Sequence, residues 1–244
     1  MIDQRSLRLR PTLVGAPQRP SYETGSYLAA HGLLTEQRHR LQQLHHHDRY
    51  LHGWGVVCGL LVVPAQEPGR PWAVQVCPGY AIGCCGEEIE VRSPTTVDIR
   101  DYLWTRPSEH GRPAPLAYVS VRYAEELARP VPVNPPACGC DETVYKPSRI
   151  KDGFEVDVLW APPKVADRPP FDICERQMAP CPDCGDSRHV FLACVTLPAS
   201  ESDRITSADI DNRSHRQQIA TTAVLQYQLV GCCCDKAQHS KGSL

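Results

Sequence analysis

The sequence predicts a mainly β protein. Antiparallel β-sandwich or barrel-like modules carry one N-terminal helix, one C-terminal helix and long Pro/Cys-rich loops. Three observations predict it. Short segments alternate apolar and polar residues, as in Glu88-Ile89-Glu90-Val91-Arg92, Val119-Ser120-Val121-Arg122-Tyr123 and Phe154-Glu155-Val156-Asp157-Val158. That period of two is the signature of half-buried antiparallel strands. Gly or Pro breaks the apolar runs at short intervals between His52 and Val91, which reads as a meander of short strands. The 23 prolines cluster at 106–115, 130–136, 162–170 and 180–182, and such clusters exclude helix and suit ordered excursions or extended linkers.

In chain order, residues 1–32 read as an extended N-terminal arm, because Pro11, Pro17 and Pro20 break any helix and Tyr22 and Tyr27 can anchor it to a neighbour. A helix is expected over Thr35–Leu51, with Leu34, Leu41, Leu44 and Leu51 as one apolar stripe. Thr35 can cap it, Glu36 suits the positive first turn, and Gly53 ends it. This helix and the strands after it form a module over 33–105. A second β module with Cys-rich excursions covers 106–200. Within it, Val190-Phe191-Leu192-Ala193-Cys194-Val195-Thr196-Leu197 is almost wholly apolar and suits a central strand. Residues 201–244 are read as a helix over Asn212–Val230 and a Cys-rich tail.

Composition excludes several functions. The net charge is -2 and the isoelectric point is near 6.5, so the basic excess of a generic nucleic-acid binder is missing. No apolar window reaches the length of a membrane span, so direct membrane insertion is not expected. Residues 1–10 lack the apolar core of a secretory signal, which implies synthesis in a reducing cytoplasm. In that compartment the 13 cysteines, unevenly spaced and odd in number, suit metal binding or buried thiols better than a disulfide framework.

Cys138-Gly139-Cys140 and Cys181-Pro182-Asp183-Cys184-Gly185 lie in two Pro-rich excursions. A C-x-x-C-G turn aims two thiolates at one point, and Gly relieves the backbone. One zinc on Cys138, Cys140, Cys181 and Cys184 would staple two loops that have no core of their own. Four protein ligands close such a site, so it is structural. A local disulfide, free thiols, or Cys174 as a ligand are the alternatives. Cys84-Cys85 is expected in a turn, one buried and one facing out. Cys58 and Cys194, inside apolar strands, are expected in the core. Cys232, Cys233 and Cys234 suit a soft metal site, lipidation or an intermolecular bridge equally.

His31, His39, His45, His46, His47 and His52 crowd the helix and its flanks. None lies three or four residues from another, so chelation from one α-helical face is not expected. A solvated or interface-facing polar helix is the plainer reading, with metal binding or pH sensing as the other. No Ser–His–Asp set, P-loop or dinucleotide fingerprint is present. Gly53-Trp54-Gly55-Val56-Val57-Cys58-Gly59 precedes a strand, so it has no helix terminus for a phosphate. Glu87-Glu88 and Glu125-Glu126 are adjacent pairs that point to opposite faces of a strand. No catalytic residue is identified, and a non-enzyme is expected.

Two segments carry a resemblance. Leu51-His52-Gly53-Trp54-Gly55-Val56-Val57-Cys58-Gly59-Leu60, continuing to Pro78–Ile89, is one. His189–Leu197, continuing to Ile205–Arg213, is the other. Both resemble phage tail and baseplate-associated proteins encoded with bacterial contractile injection systems, and Tyr145–Glu155 fits with them. The resemblance implies a structural or adaptor subunit of a phage-tail-like particle, at the baseplate or a fibre attachment point. It implies other particle subunits as partners, several copies per assembly, and a particle released from the cell or acting at its envelope. An effector cargo enzyme and a free-standing zinc-binding interaction module are the rival expectations.

Overall fold

The computed structural model describes residues 19–25, 27–109, 112–133, 144–162 and 188–227. Helix α1 (Ala30–His47) runs into a π-helical turn, Asp48–His52. There follow β1 (Gly55–Gly59), β2 (Val62–Pro64), β3 (Ala73–Val76), β4 (Gly79–Ile82), β5 (Glu88–Val91) and β6 (Thr95–Asp98). A 3-10 helix, Ile99–Thr105, leads to the short pair β7 (Ser108–Glu109) and β8 (Arg112–Pro113). The second half holds β9 (Leu116–Val133), β10 (Val144–Leu159), β11 (Val190–Thr196) and β12 (Ile210–Asp211). The protein is mainly β with antiparallel sheets and an N-terminal helix, as its residue pattern predicts. The described sheets stay open, and none closes into a barrel.

Three sheets build the core, with strand orders β1-β4-β5, β2-β3-β6 and β10-β9-β11-β12. β1 meets β11, and β5 meets β9 and β10. The first and third sheets therefore face each other across one apolar layer. That layer joins Val56, Ile89 and Val91 to Val119, Val121, Leu192 and Val195, and Leu60 and the second sheet's Val74 belong to the same core. Burying side chains of this size stabilises by about 1.5–3 kcal/mol each before entropy is charged. Trp72 is buried too, and its indole N–H donates to the Asp203 carbonyl at 3.1 Å.

The expected strand from His52 to Val63 is broken in two. Gly59 and Leu60 both have positive φ, 62° and 56°. This pair lifts the chain from the first sheet into the second. A left-handed leucine is strained, and its complete burial offsets the strain. β1 also carries a bulge between Val56 and Cys58. The bulge shifts the alternation, so Cys58 is exposed rather than in the core.

α1 begins at Ala30, five residues before the expected start. Thr35 does not cap it; its hydroxyl donates back to the His31 carbonyl at 2.8 Å. Glu36 accepts a hydrogen bond from Tyr22 at 2.8 Å, which folds residues near Tyr22 back along the helix. Gly53 ends the π turn at φ 80°, as a glycine expected to stop a helix should.

The C-terminal helix expected over Asn212–Val230 is helical only across 222–227 among the described residues. From 212 to 221 the chain serves the sheets instead. The Asn212 carboxamide pairs with both backbone groups of Val62, at 2.8 and 2.9 Å. Arg216 donates to the carbonyls of Leu60 at 3.0 Å and Leu192 at 3.2 Å, and to that of Gly59. Gln217 and Ile219 bond both backbone groups of Val56. These bonds satisfy strand-edge groups that a helix would leave unpaired.

Candidate functional site

β9 and β10 outrun the sandwich. Their pairing continues from Val158↔Val119 to Val144↔Val133. Opposed residues of an antiparallel pair lie on one face. Val121↔Val156 and Leu127↔Ile150 are such pairs, six residues apart along β9, so they share a face. Val121 is fully buried in the core, whereas Leu127 is 66% and Ile150 61% exposed. The core's face of the ribbon thus continues past the acidic pair Glu125↔Asp152 to an exposed apolar pair, Leu127↔Ile150, that nothing covers among the described residues. On the opposite face, Tyr145 is 65% exposed near the arm's end.

The arm's root is pinned on both faces. On the core face, the Tyr123 hydroxyl donates to Asp152 at 2.6 Å and lies 3.1 Å from Glu125. Burial first, then these carboxylates, push the phenol well above its usual range. On the other face, Arg122 Nε lies 2.7 Å from Asp157 Oδ2, and Arg122 also pairs with Glu155. His189 Nε2 sits 3.1 Å from the same Asp157 oxygen. The arm therefore leaves the sandwich in a set direction.

No residue of α1 is buried. The leucine stripe exists, yet Leu34, Leu41, Leu44 and Leu51 are about half exposed or more. Leu41, Leu44 and His45 overhang a groove of about 530 Å³ whose floor is Tyr80, Glu88, Tyr123 and Phe154. The helix's C-terminal end sits hard against the sheets. A Cβ on Gly86 would fall 2.1 Å from the His45 carbonyl oxygen.

At that end the structure brings together residues that helical spacing keeps apart. His47, Asp48 and His52 place one ligand atom each within 4.8 Å of one another. His47 and His52 are five residues apart, and the π turn closes that interval. A search restricted to i, i+3 and i, i+4 misses it. A His-Asp pair followed by His just ahead of Gly53 was the available signal.

Of the sequence-predicted zinc ligands, Cys138, Cys140, Cys181 and Cys184 all lie outside the described residues, as do Cys174, Cys232, Cys233 and Cys234. Cys84 is buried and Cys85 half-buried, in the turn between β4 and β5 as expected. Cys194 is half-buried, and burial pushes its thiol pKa up. Glu87 turns inward, its carboxylate accepting the Cys85 N–H at 3.1 Å, while Glu88 is exposed.

One buried charge below the sandwich sets an acid limit. Asp98 is 2% exposed. It accepts from Arg100 Nη2 at 2.7 Å, from the Arg100 backbone N–H at 3.0 Å and from Arg70 Nε at 3.3 Å. Burial raises its carboxyl pKa, but the Arg100 and Arg70 bonds outweigh that and hold it below the usual range. A depressed folded pKa gives stability that is complete above the unfolded value, about 3.9, and is lost as pH falls through the folded one. Asp98→Asn is expected to cost about 2 kcal/mol at pH 7 by urea denaturation. Its stability should also fall less steeply than that of the parent below about pH 4.

No known family and no curated protein matches the chain. Among solved structures, it is similar to a chain of the type VI secretion system TssK-TssF-TssG baseplate subcomplex, seen by cryo-electron microscopy. The identity is 12% and the TM-score 0.38, over 75% of this chain. The match spans 57% of that chain's length. Such values do not establish a common fold.

Proposed function

We propose that this protein is a non-enzymatic structural or adaptor subunit of a phage-tail-like contractile injection particle, placed at the baseplate or a fibre attachment region. The observation that carries the reading is the β9–β10 arm, which holds the opposed apolar pair Leu127↔Ile150 exposed beyond the sandwich. A two-stranded ribbon alone in water is marginally stable. One that carries Leu127, Ile150 and Tyr145 into solvent gains most by lying on another chain. α1 supports the same reading, with a leucine stripe and no buried residue of its own. Trp104, 86% exposed on the 3-10 helix, adds an aromatic anchor of the kind that dominates interfaces. The segments that resemble tail and baseplate-associated proteins supply the class of particle. The experiment is substitution of that pair followed by co-purification with the particle.

The same reading includes a structural zinc on Cys138, Cys140, Cys181 and Cys184, stapling the two Pro-rich excursions. Elemental analysis should find about one zinc fewer per chain in the Cys181→Ser/Cys184→Ser form, with stability lowered by several kcal/mol because structural zinc binding is coupled to folding. Equal zinc in both forms would refute this part.

A further inference from the structure

We propose that His47, Asp48 and His52 form a second metal site, for a divalent ion of the zinc class, at the junction of α1 and the β4–β5 turn. Two observations carry it independently. The first is the convergence of two imidazoles and one carboxylate, with ligand atoms within 4.8 Å of one another and ring centroids of His47 and His52 5.2 Å apart. The second is the state of Asp48. It is 8% exposed, and its Oδ2 is buried with no hydrogen-bond partner. A buried carboxylate oxygen without a donor costs about 1–3 kcal/mol or more. A bound cation removes that cost.

The local backbone is built for this. The Gly53 N–H donates to the Asp48 carbonyl at 3.0 Å, the i, i+5 bond that defines the π turn. A π turn is rare and recurs at functional sites. Here it carries His52 back beside His47, where an α-helix would place it well around the axis. The end of α1 is also the negative pole of the helix dipole, which favours a cation. Two imidazole nitrogens with one carboxylate oxygen suit zinc and its first-row neighbours, whereas calcium and magnesium want oxygen alone. Ligands on one zinc stand about 3.3 Å apart. Both rings are exposed, so they can swing inward onto Asp48, which stays in place. Three protein ligands leave a fourth position open to water. The close approach of the His45 carbonyl to Gly86 puts this site where the helix end meets the sheets.

The test compares zinc bound per chain by the full-length protein, its His47→Ala/His52→Ala form and a His45→Ala/His46→Ala control. Equilibrium dialysis against zinc alone and elemental analysis give the count, and circular dichroism checks the fold. Thiolate sites contribute equally to all three and cancel. The site predicts a loss of about one zinc from the His47/His52 form and none from the control. Asp48→Asn should weaken that zinc at least about tenfold, since it removes a ligand charge without changing shape. Equal zinc in the parent and the His47/His52 form would overturn the proposal. So would an equal loss from the control, because that result means adventitious binding by a histidine-rich helix.

Discussion

Gly59→Ala is expected to destabilise the protein by at least about 3 kcal/mol, enough to unfold a marginal domain. The φ of 62° alone would cost an alanine only about 1 kcal/mol. Space is the larger penalty. A Cβ there would stand 2.2 Å from the Pro78 carbonyl oxygen and 2.8 Å from the Gly79 Cα. Both atoms belong to backbone, so no rotamer change relieves the clash. β1 would have to part from β4, breaking the bond from the Leu60 N–H to Pro78 and pulling Leu60 from the core. Gly69→Ala is the control. Its φ of 76° is similar, and a Cβ there meets nothing within 4 Å. It should cost only about 1 kcal/mol. Denaturant titration of the two variants separates conformational strain from contact.

Leu127→Lys/Ile150→Lys is expected to leave folding intact and to weaken incorporation into the particle at least tenfold, about 1.4 kcal/mol or more. The two residues oppose each other on the arm, and each is more than half exposed. Lysines there cost the isolated chain little, because no core contact is lost and surface changes usually stay within about 0.5 kcal/mol. At an interface the same lysines bring two desolvated charges against an apolar partner. The double variant should melt within a few degrees of the parent. Binding loss with an unchanged melt assigns the pair to docking. Loss of both assigns it to the core.

Much of the sandwich was legible because its strands obey their own period. Glu88 to Val91 alternates exposed and buried residues as the sequence reads. Val190 to Thr196 is central, flanked by β9 and β12. The arm was not legible, because Pro130, Pro132 and Pro147 argue against strand. Pro130 pairs with Pro147 and Pro132 with Tyr145, so all three prolines fall on the same alternating set of positions. In a two-stranded ribbon that set can turn its backbone nitrogens outward, where no ladder bond is lost. The Cys58 exposure depended on a bulge, and the C-terminal segment on long-range bonds to Val56 and Val62. None of these leaves a local pattern. Of the functional features, the leucine stripe of α1 could be read from its spacing. The His47–Asp48–His52 cluster could not, since it needs a turn that α-helical counting excludes.

The proposed function requires this chain to dock into a larger particle. Sedimentation of native particles from cells expressing the tagged chain, with subunits quantified, tests it most directly. The intact chain is expected to sediment with sheathed tails at a fixed ratio to the baseplate, while the folded Leu127→Lys/Ile150→Lys form stays in the soluble fraction. A tagged parent chain that remains soluble beside fully assembled tails would contradict it.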